Sequence, residues 1–331
     1  MSHSLLQQWE QWRRRYRHWR SGSSTVAEQP LGDAATLTEQ ALHAQSLPWS
    51  LIGFERPAGH PLIGETLSAH RGRGFEFVEN RPYQPGDEPR LLNWRLYARS
   101  GNLYTKVFSE ERRPQVFLLL DRRAAMRFGT RRQLKVALAA RIALAYAFQA
   151  RDQALAVGGL ILNQRPEWFP PASGEASTQA FLHAMLAPCP PLDFEVDQPD
   201  LEENLQGLMH RLPPGCFILL VSDFADLDPD TGVALLHQLA AQHTVSAVQV
   251  LDPVEQRLPT SGDLLIEDTA SPQPLRIDRQ DTRQHALYAE AFRNRQSKLA
   301  ACFKASRIPL KTCTTEDEVD ACLEPFHVAH A

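Results

Sequence analysis

Cysteine is scarce in this 331-residue chain: Cys189, Cys216, Cys302, Cys313 and Cys322 are the only five. No two stand at the spacing of a zinc knuckle or a redox CxxC, so reduced, buried thiols and no structural zinc are expected. No stretch approaches the ~18 apolar residues of a membrane span. The arginines near the N-terminus are followed by no apolar core of a secretory signal. An excess of one charge is lacking too, with 35 Lys plus Arg against 39 Asp plus Glu, a formal −4. That argues against a chain built wholly around nucleic acid and leaves room for a local basic patch. A phosphate loop ending in Lys-Ser/Thr, GxGxxG, HExxH and GxSxG are all absent. His327 and His330 stand without the further ligands that a metal site requires. The expectation is a cytoplasmic, globular, non-enzymatic protein with no cofactor. Its apolar fraction of 43% suffices for a large core, and its length for two domains.

Three stretches differ in grammar. In residues 1–24, Leu5, Trp9, Trp12, Tyr16 and Trp19 recur at gaps of four and three, one stripe of an amphipathic helix. Arg13, Arg14, Arg15, Arg17 and Arg20 crowd around it. Such a helix packs on its own protein or a partner, or lies at a lipid interface. Residues 45–113 alternate short β-type segments with Gly, Pro and Asn, and interleave Arg with Glu and Asp. This predicts a small β-rich module whose Arg–carboxylate pairs form either a structural lattice or a recognition face. From 114 to 331, apolar strands such as VFLLLD and CFILLVSDF alternate with helical stretches, the first of them over 132–150. An α/β domain follows, with a parallel sheet covered on both faces. Asp121, Asp223 and Asp252 each stand at the carboxyl end of an apolar strand, where open α/β sheets place their sites.

The motif residues carry a resemblance. Gly72, Gly74, Glu76, Phe77, Arg81, Tyr83, Pro85, Gly86, Asp87, Arg90, Asn93, Trp94, Ala98 and Arg99 stand at fixed gaps. With DRRAAM at 121–126, VSDF at 221–224 and LDPVEQRLPTSG at 251–262, they resemble domain-of-unknown-function family 58. Its members are von Willebrand factor A-like (vWA) proteins encoded beside MoxR AAA+ ATPases. The resemblance implies a vWA-like, Rossmann-like fold, and a role as partner of a MoxR-type ATPase acting on a client protein. It also implies a metal site, D-x-S-x-S after the first strand with a Thr and a later Asp. Asp121, Asp223 and Thr178 (or Ser177) fit three of those places, but Arg123 and Ala125 replace the two serines. A hard cation such as Mg²⁺ or Mn²⁺ loses oxygens there, and Arg123 brings a charge able to pair with Asp121 or Asp223. The expectation is a degenerate, metal-free site. Two other readings stay open at this point: a metal-dependent hydrolase, and a membrane-surface or nucleic-acid binder acting through the basic N-terminal helix.

Overall fold

Short segments broken by Pro and Gly can close only small sheets, and the first unit is of that kind. The computed structural model describes residues 76–109, 115–190, 197–258, 265–268, 271–276 and 282–323. They belong to two compact units, one within Arg56–Pro114 and one whose described part begins at Gln115. In the first, β1 (Glu76–Pro82) pairs antiparallel with β2 (Tyr104–Ser109). Between them lies α1 (Trp94–Ser100), a helix that the reading of this module as strands missed. Its end signals are plain in the sequence: the Asn93 side chain accepts from the Leu96 amide at 3.1 Å, and Gly101 ends it at φ +70°. Of the segments expected to be strands here, SLIGFERP at 50–57 lies outside the described residues.

The larger unit is built on β3 (Gln115–Asp121), whose residues from Val116 onward are all buried. Its side chains alternate between two cores. Leu118 and Leu120 enter one, Phe117 and Leu119 the other, which is why the strand reads as one apolar run. The chain continues through α2 (Lys135–Asp152), β4 (Ala156–Leu162), β5 (Glu167–Ala172), α3 (Glu175–Leu186) and α4 (Leu201–Arg211). Then come β6 (Phe217–Ser222), α5 (Gly232–Gln242), β7 (Thr244–Leu251) and the single turn α6 (Pro253–Gln256). A hairpin of β8 (Leu265–Asp268) and β9 (Ser271–Arg276) precedes α7 (Thr282–Ala305), β10 (Leu310–Thr314) and α8 (Val319–Leu323).

The six-stranded sheet runs β10-β7-β6-β3-β4-β5. Neighbours are parallel except β5, which is antiparallel to β4. Read within this unit, the order is 6-5-4-1-2-3, the doubly wound α/β arrangement, and the vWA-like fold class expected. One core packs α2, α3 and α8 on the sheet, the other α4, α5 and α7. Helix α2 is buried on nearly every side, and its many alanines let it lie close to the strands. Gly159 serves the same end: a Cβ there would come within 2.2 Å of the Phe181 ring of α3.

Two elements were not foreseen. The Pro-rich stretch forms the edge strand β5, with Pro170 and Pro171 at the register shift between Val157 and Gly159, where the pairing with β4 is interrupted. Helix α4 carries Leu201, Leu205 and Leu208 into the core, with Asp200 capping it through the Glu203 amide at 2.9 Å. All five cysteines are free and buried. Among the described residues, no helix is long and apolar enough to cross a membrane.

Candidate functional site

The chain winds one way from β3 and the other way from β6, so the crevice of this fold lies between the carboxyl ends of those strands. Asp121 ends β3 and Asp223 follows β6. A cation has been built into each position.

Arg123, 7% exposed, folds back over Asp121. Its Nε donates to Oδ1 at 3.0 Å and its Nη2 to Oδ2 at 2.7 Å, while its own amide also donates to Oδ1 at 3.0 Å. The Ser222 hydroxyl donates to Oδ2 at 2.7 Å. The far edge of the guanidinium meets Asp226, through Nη2 at 2.9 Å and through Nη1, which also reaches the Pro199 carbonyl at 3.0 Å. Burial alone pulls this guanidinium down, and Asp121 and Asp226 carry it well above its ordinary value. The loop that presents Asp226 is fixed from behind. Arg295 of α7 donates to the carbonyls of Phe224, Ala225 and Leu227 at 3.1, 2.7 and 3.0 Å. Phe224 itself takes a left-handed φ of +52°, costly for an aromatic residue unless its surroundings hold it. Its ring packs on Phe303, 5.0 Å between centroids.

Asp223 is served by a different cation. Lys135, at the start of α2 and fully buried, donates from Nζ to Asp223 Oδ2 and to Glu255 Oε1, both at 2.8 Å. Burial pushes the Asp223 carboxyl up, but Lys135, the Ala225 amide and Arg123 bring it below its ordinary value. Burial likewise pulls Lys135 down, and Asp223 and Glu255 together raise it above the normal lysine range. Asp252, fully buried after β7, needs no cation. It accepts from the Thr130 amide at 2.8 Å, the Val254 amide at 3.0 Å and the Thr315 hydroxyl at 2.7 Å. Of the two partners open to Arg123, the structure gives it Asp121 and adds Asp226, while Lys135 holds Asp223. The Thr178 hydroxyl donates to the Gly174 carbonyl, just before α3, at 2.9 Å. Ala125 lies in the short 3₁₀ turn Ala124–Met126 and brings no oxygen.

In the smaller unit the motif separates into a lattice and a free face. Asp87 accepts from Arg81 Nη2, from the Gln84 amide at 2.9 Å and from the Thr105 hydroxyl at 2.9 Å. Those bonds, the Gln84 amide first and Arg81 next, lower the Asp87 carboxyl from its ordinary value. Gly86, at φ +106°, makes the turn that brings Asp87 there. Tyr83 is tied through its amide to the Leu103 carbonyl at 3.0 Å, and Asn93 donates to Asn80 Oδ1 at 2.9 Å. Glu76 and Phe77 lie in β1, their backbones opposite Ser109 and Phe108. Arg90, Trp94 and Arg99 stand apart from the lattice and are exposed. So are Arg95 and Tyr97 of α1.

These motif residues coincide with a family. The sequence model described as "Protein of unknown function DUF58" matches residues 79–298. The chain belongs to the DUF58 family. Similar proteins are the uncharacterized protein Rv1480 of Mycobacterium tuberculosis and the uncharacterized protein Mb1516 of Mycobacterium bovis. Each is 30% identical over 210 residues, 63% of this chain and 65% of the relative. The alignment thus spans just under two thirds of the length of those relatives. Among solved structures, an aerotolerance-related membrane protein from Bacteroides fragilis has a TM-score of 0.41 at 11% identity. That match covers 63% of this chain and 94% of the other. The conserved hypothetical protein BatB from Bacteroides thetaiotaomicron has a TM-score of 0.35 at 15% identity, covering 59% and 98%. Likenesses this distant transfer no function to the DUF58 chain.

Trp9, Trp12, Tyr16 and Trp19, and with them the basic helix, lie outside the described residues. Four contributors escaped sequence reasoning: Lys135, Ser222, Asp226 and Glu255. Ser222 stood within VSDF, Asp226 just after it and Glu255 within LDPVEQRLPTSG, while Lys135 carried no signal.

Proposed function

We propose that this DUF58 protein is a non-enzymatic adaptor that docks on a MoxR-type AAA+ ATPase and assists it on a client protein. The partner class comes from the family resemblance. The observation that supports an adaptor over an enzyme is the pairing of Arg123 with Asp121 and Asp226. A vWA metal site presents its carboxylates to a shared hard cation, which takes about six oxygens at ~2.1 Å. In this crevice both Asp121 oxygens accept from Arg123, and Oδ2 accepts from Ser222 as well. Asp223 accepts from Lys135 through Oδ2 and from the Ala225 amide through Oδ1. Two protonated groups at the crevice repel a third cation. The donor set therefore does not fit Mg²⁺ or Mn²⁺, and no chemistry is routed through a metal here. A rigid surface without a reactive group suits binding, in which shape and charge complementarity do the selecting.

The test is a pull-down of the tagged chain from native lysate, with and without ATP, followed by a binding titration with the purified MoxR-type ATPase recovered. Nucleotide-dependent, saturable binding supports the adaptor. Recovery of membrane or nucleic acid in its place, lost on deletion of residues 1–20, overturns it.

A further inference from the structure

Large apolar side chains on a monomer's surface are ordinary when scattered and informative when grouped. Among the described residues four are exposed: Trp94 at 59%, Tyr97 at 43%, Leu103 at 38% and Leu287 at 43%. Three of the four fall within ten residues of the smaller unit, on α1 and just after it. Trp94 and Tyr97 stand one helical turn apart, their rings edge to face with centroids 6.3 Å apart. Such a pair covers area at low entropic cost, since its rings already hold one another in place.

The charges around the pair are of one kind. Arg95 and Arg99, four residues apart on α1, and Arg90 in the preceding turn are all exposed. Among the described residues no carboxylate pairs with any of the three. This contrasts with Arg81, whose guanidinium is committed to Asp87. The motif thus spends one arginine on its own folding and leaves three facing outward beside aromatic rings.

We propose that α1, with Arg90 and Leu103 beside it, is the docking face for an acidic, apolar-centred protein surface. This rests on the adaptor reading and names the site through which the ATPase partner is engaged. Two physical constraints select that occupant. Guanidinium groups lose hydration when a partner covers them, and among protein groups carboxylates supplied by that partner compensate best. Trp, Tyr and Arg are also the residues that dominate binding energy at protein interfaces. A phosphate backbone is the poorer fit: its dense, continuous charge also meets Glu79 and Glu88, exposed in the same unit, whereas a protein surface can set its carboxylates at the arginines alone.

The test uses the full chain and the purified MoxR-type ATPase from the same genome, with affinity measured by calorimetry. Trp94→Ala with Tyr97→Ala is expected to weaken binding by ~30-fold or more. Arg95→Glu with Arg99→Glu should weaken it at least ~10-fold, more steeply at low salt. Because these side chains are exposed, melting temperatures should stay at the wild-type value. Hydroxyl-radical footprinting of the unmutated complex gives a second readout, in which Trp94 and Tyr97 become protected. If wild type binds and both variants bind equally well, or the two rings stay unprotected, docking lies elsewhere and this proposal fails while the adaptor stands. If wild type does not bind the ATPase at all, both fail together. Tight, salt-dependent binding of a 20-nucleotide single strand, lost in Arg95→Glu with Arg99→Glu, overturns the protein occupant in favour of nucleic acid.

Discussion

The sheet's carboxyl edge and helix α1 treat their cations in opposite ways. At the edge the cations are enclosed and answered: Arg123 by Asp121 and Asp226, Lys135 by Asp223 and Glu255, and Arg122 by the carbonyls of Ala184 and Ala187. On α1 Arg95 and Arg99 are left in solvent, with no acid pairing them among the described residues. Burial explains the difference. A charge withdrawn from water must find a counter-charge or acceptor oxygens inside the same fold, whereas an exposed one stays solvated and keeps its pairing capacity for another molecule. The enclosed cluster is therefore read as a part of the scaffold, and the open one as the surface with work left to do.

Lys135→Met gives the largest effect that this contrast predicts. It leaves Asp223 buried without its cation, and a loss of about 3–5 kcal/mol in urea unfolding is expected. Arg95→Ala on α1 should change stability by less than ~0.5 kcal/mol in the same assay. Comparable losses from both variants would erase the distinction between the units.

The next effect is a pH dependence confined to the larger unit. Burial lowers His243 from its ordinary 6.5 to about 4, and both of its ring nitrogens are buried without a partner. Its folded form is neutral at pH values where the unfolded chain takes up a proton. Stability should thus decline as pH falls from about 6.5 to about 4, then show no further loss from this group. His243→Phe should flatten that limb of an unfolding-versus-pH curve, and an unchanged curve would exclude the histidine as its source.

Asp87 in the smaller unit gives a lesser effect, at lower pH. Its folded carboxyl is lowered, so its contribution is present above the unfolded aspartate value of ~3.9 and is lost as pH falls through the folded value. Asp87→Asn should remove that acid-side loss, read by the melting of the smaller unit, and Arg81→Ala should reproduce part of it, since the Gln84 amide also holds the carboxylate. The smallest expected effect is none. Arg123→Ser with Ala125→Ser restores the serines of a vWA metal loop, yet Lys135 still holds Asp223. Calorimetry should show no gain in Mg²⁺ or Mn²⁺ affinity. A clear gain would mean that Arg123 alone excludes the metal.

The sheet was legible because its buried strands leave an unbroken signal. VFLLLD, CFILLVSDF and TVSAVQVLD each became a strand of the parallel sheet, each with its acid at the carboxyl end. The helix α1 was overlooked although Asn93 and Gly101 mark its ends, since about two turns are too short to display a periodicity. Strand β5 was hidden by its prolines. The charge clusters were only half visible. Asp121 and Arg123 are neighbours in sequence, so their pairing could be anticipated. Lys135 lies 88 residues from Asp223 and looks like any lysine at a helix start, so only the winding of the chain brings the two together.

One edge of the sheet carries a consequence for assembly. Beyond β4 the sheet ends in β5, which runs against its neighbours and holds Pro170 and Pro171 side by side. Two consecutive residues of that border have no amide hydrogen to offer an incoming strand. A peptide or a second copy of the chain that paired along this border would lose a ladder bond there. Growth into fibres by that route is hindered from within the sequence.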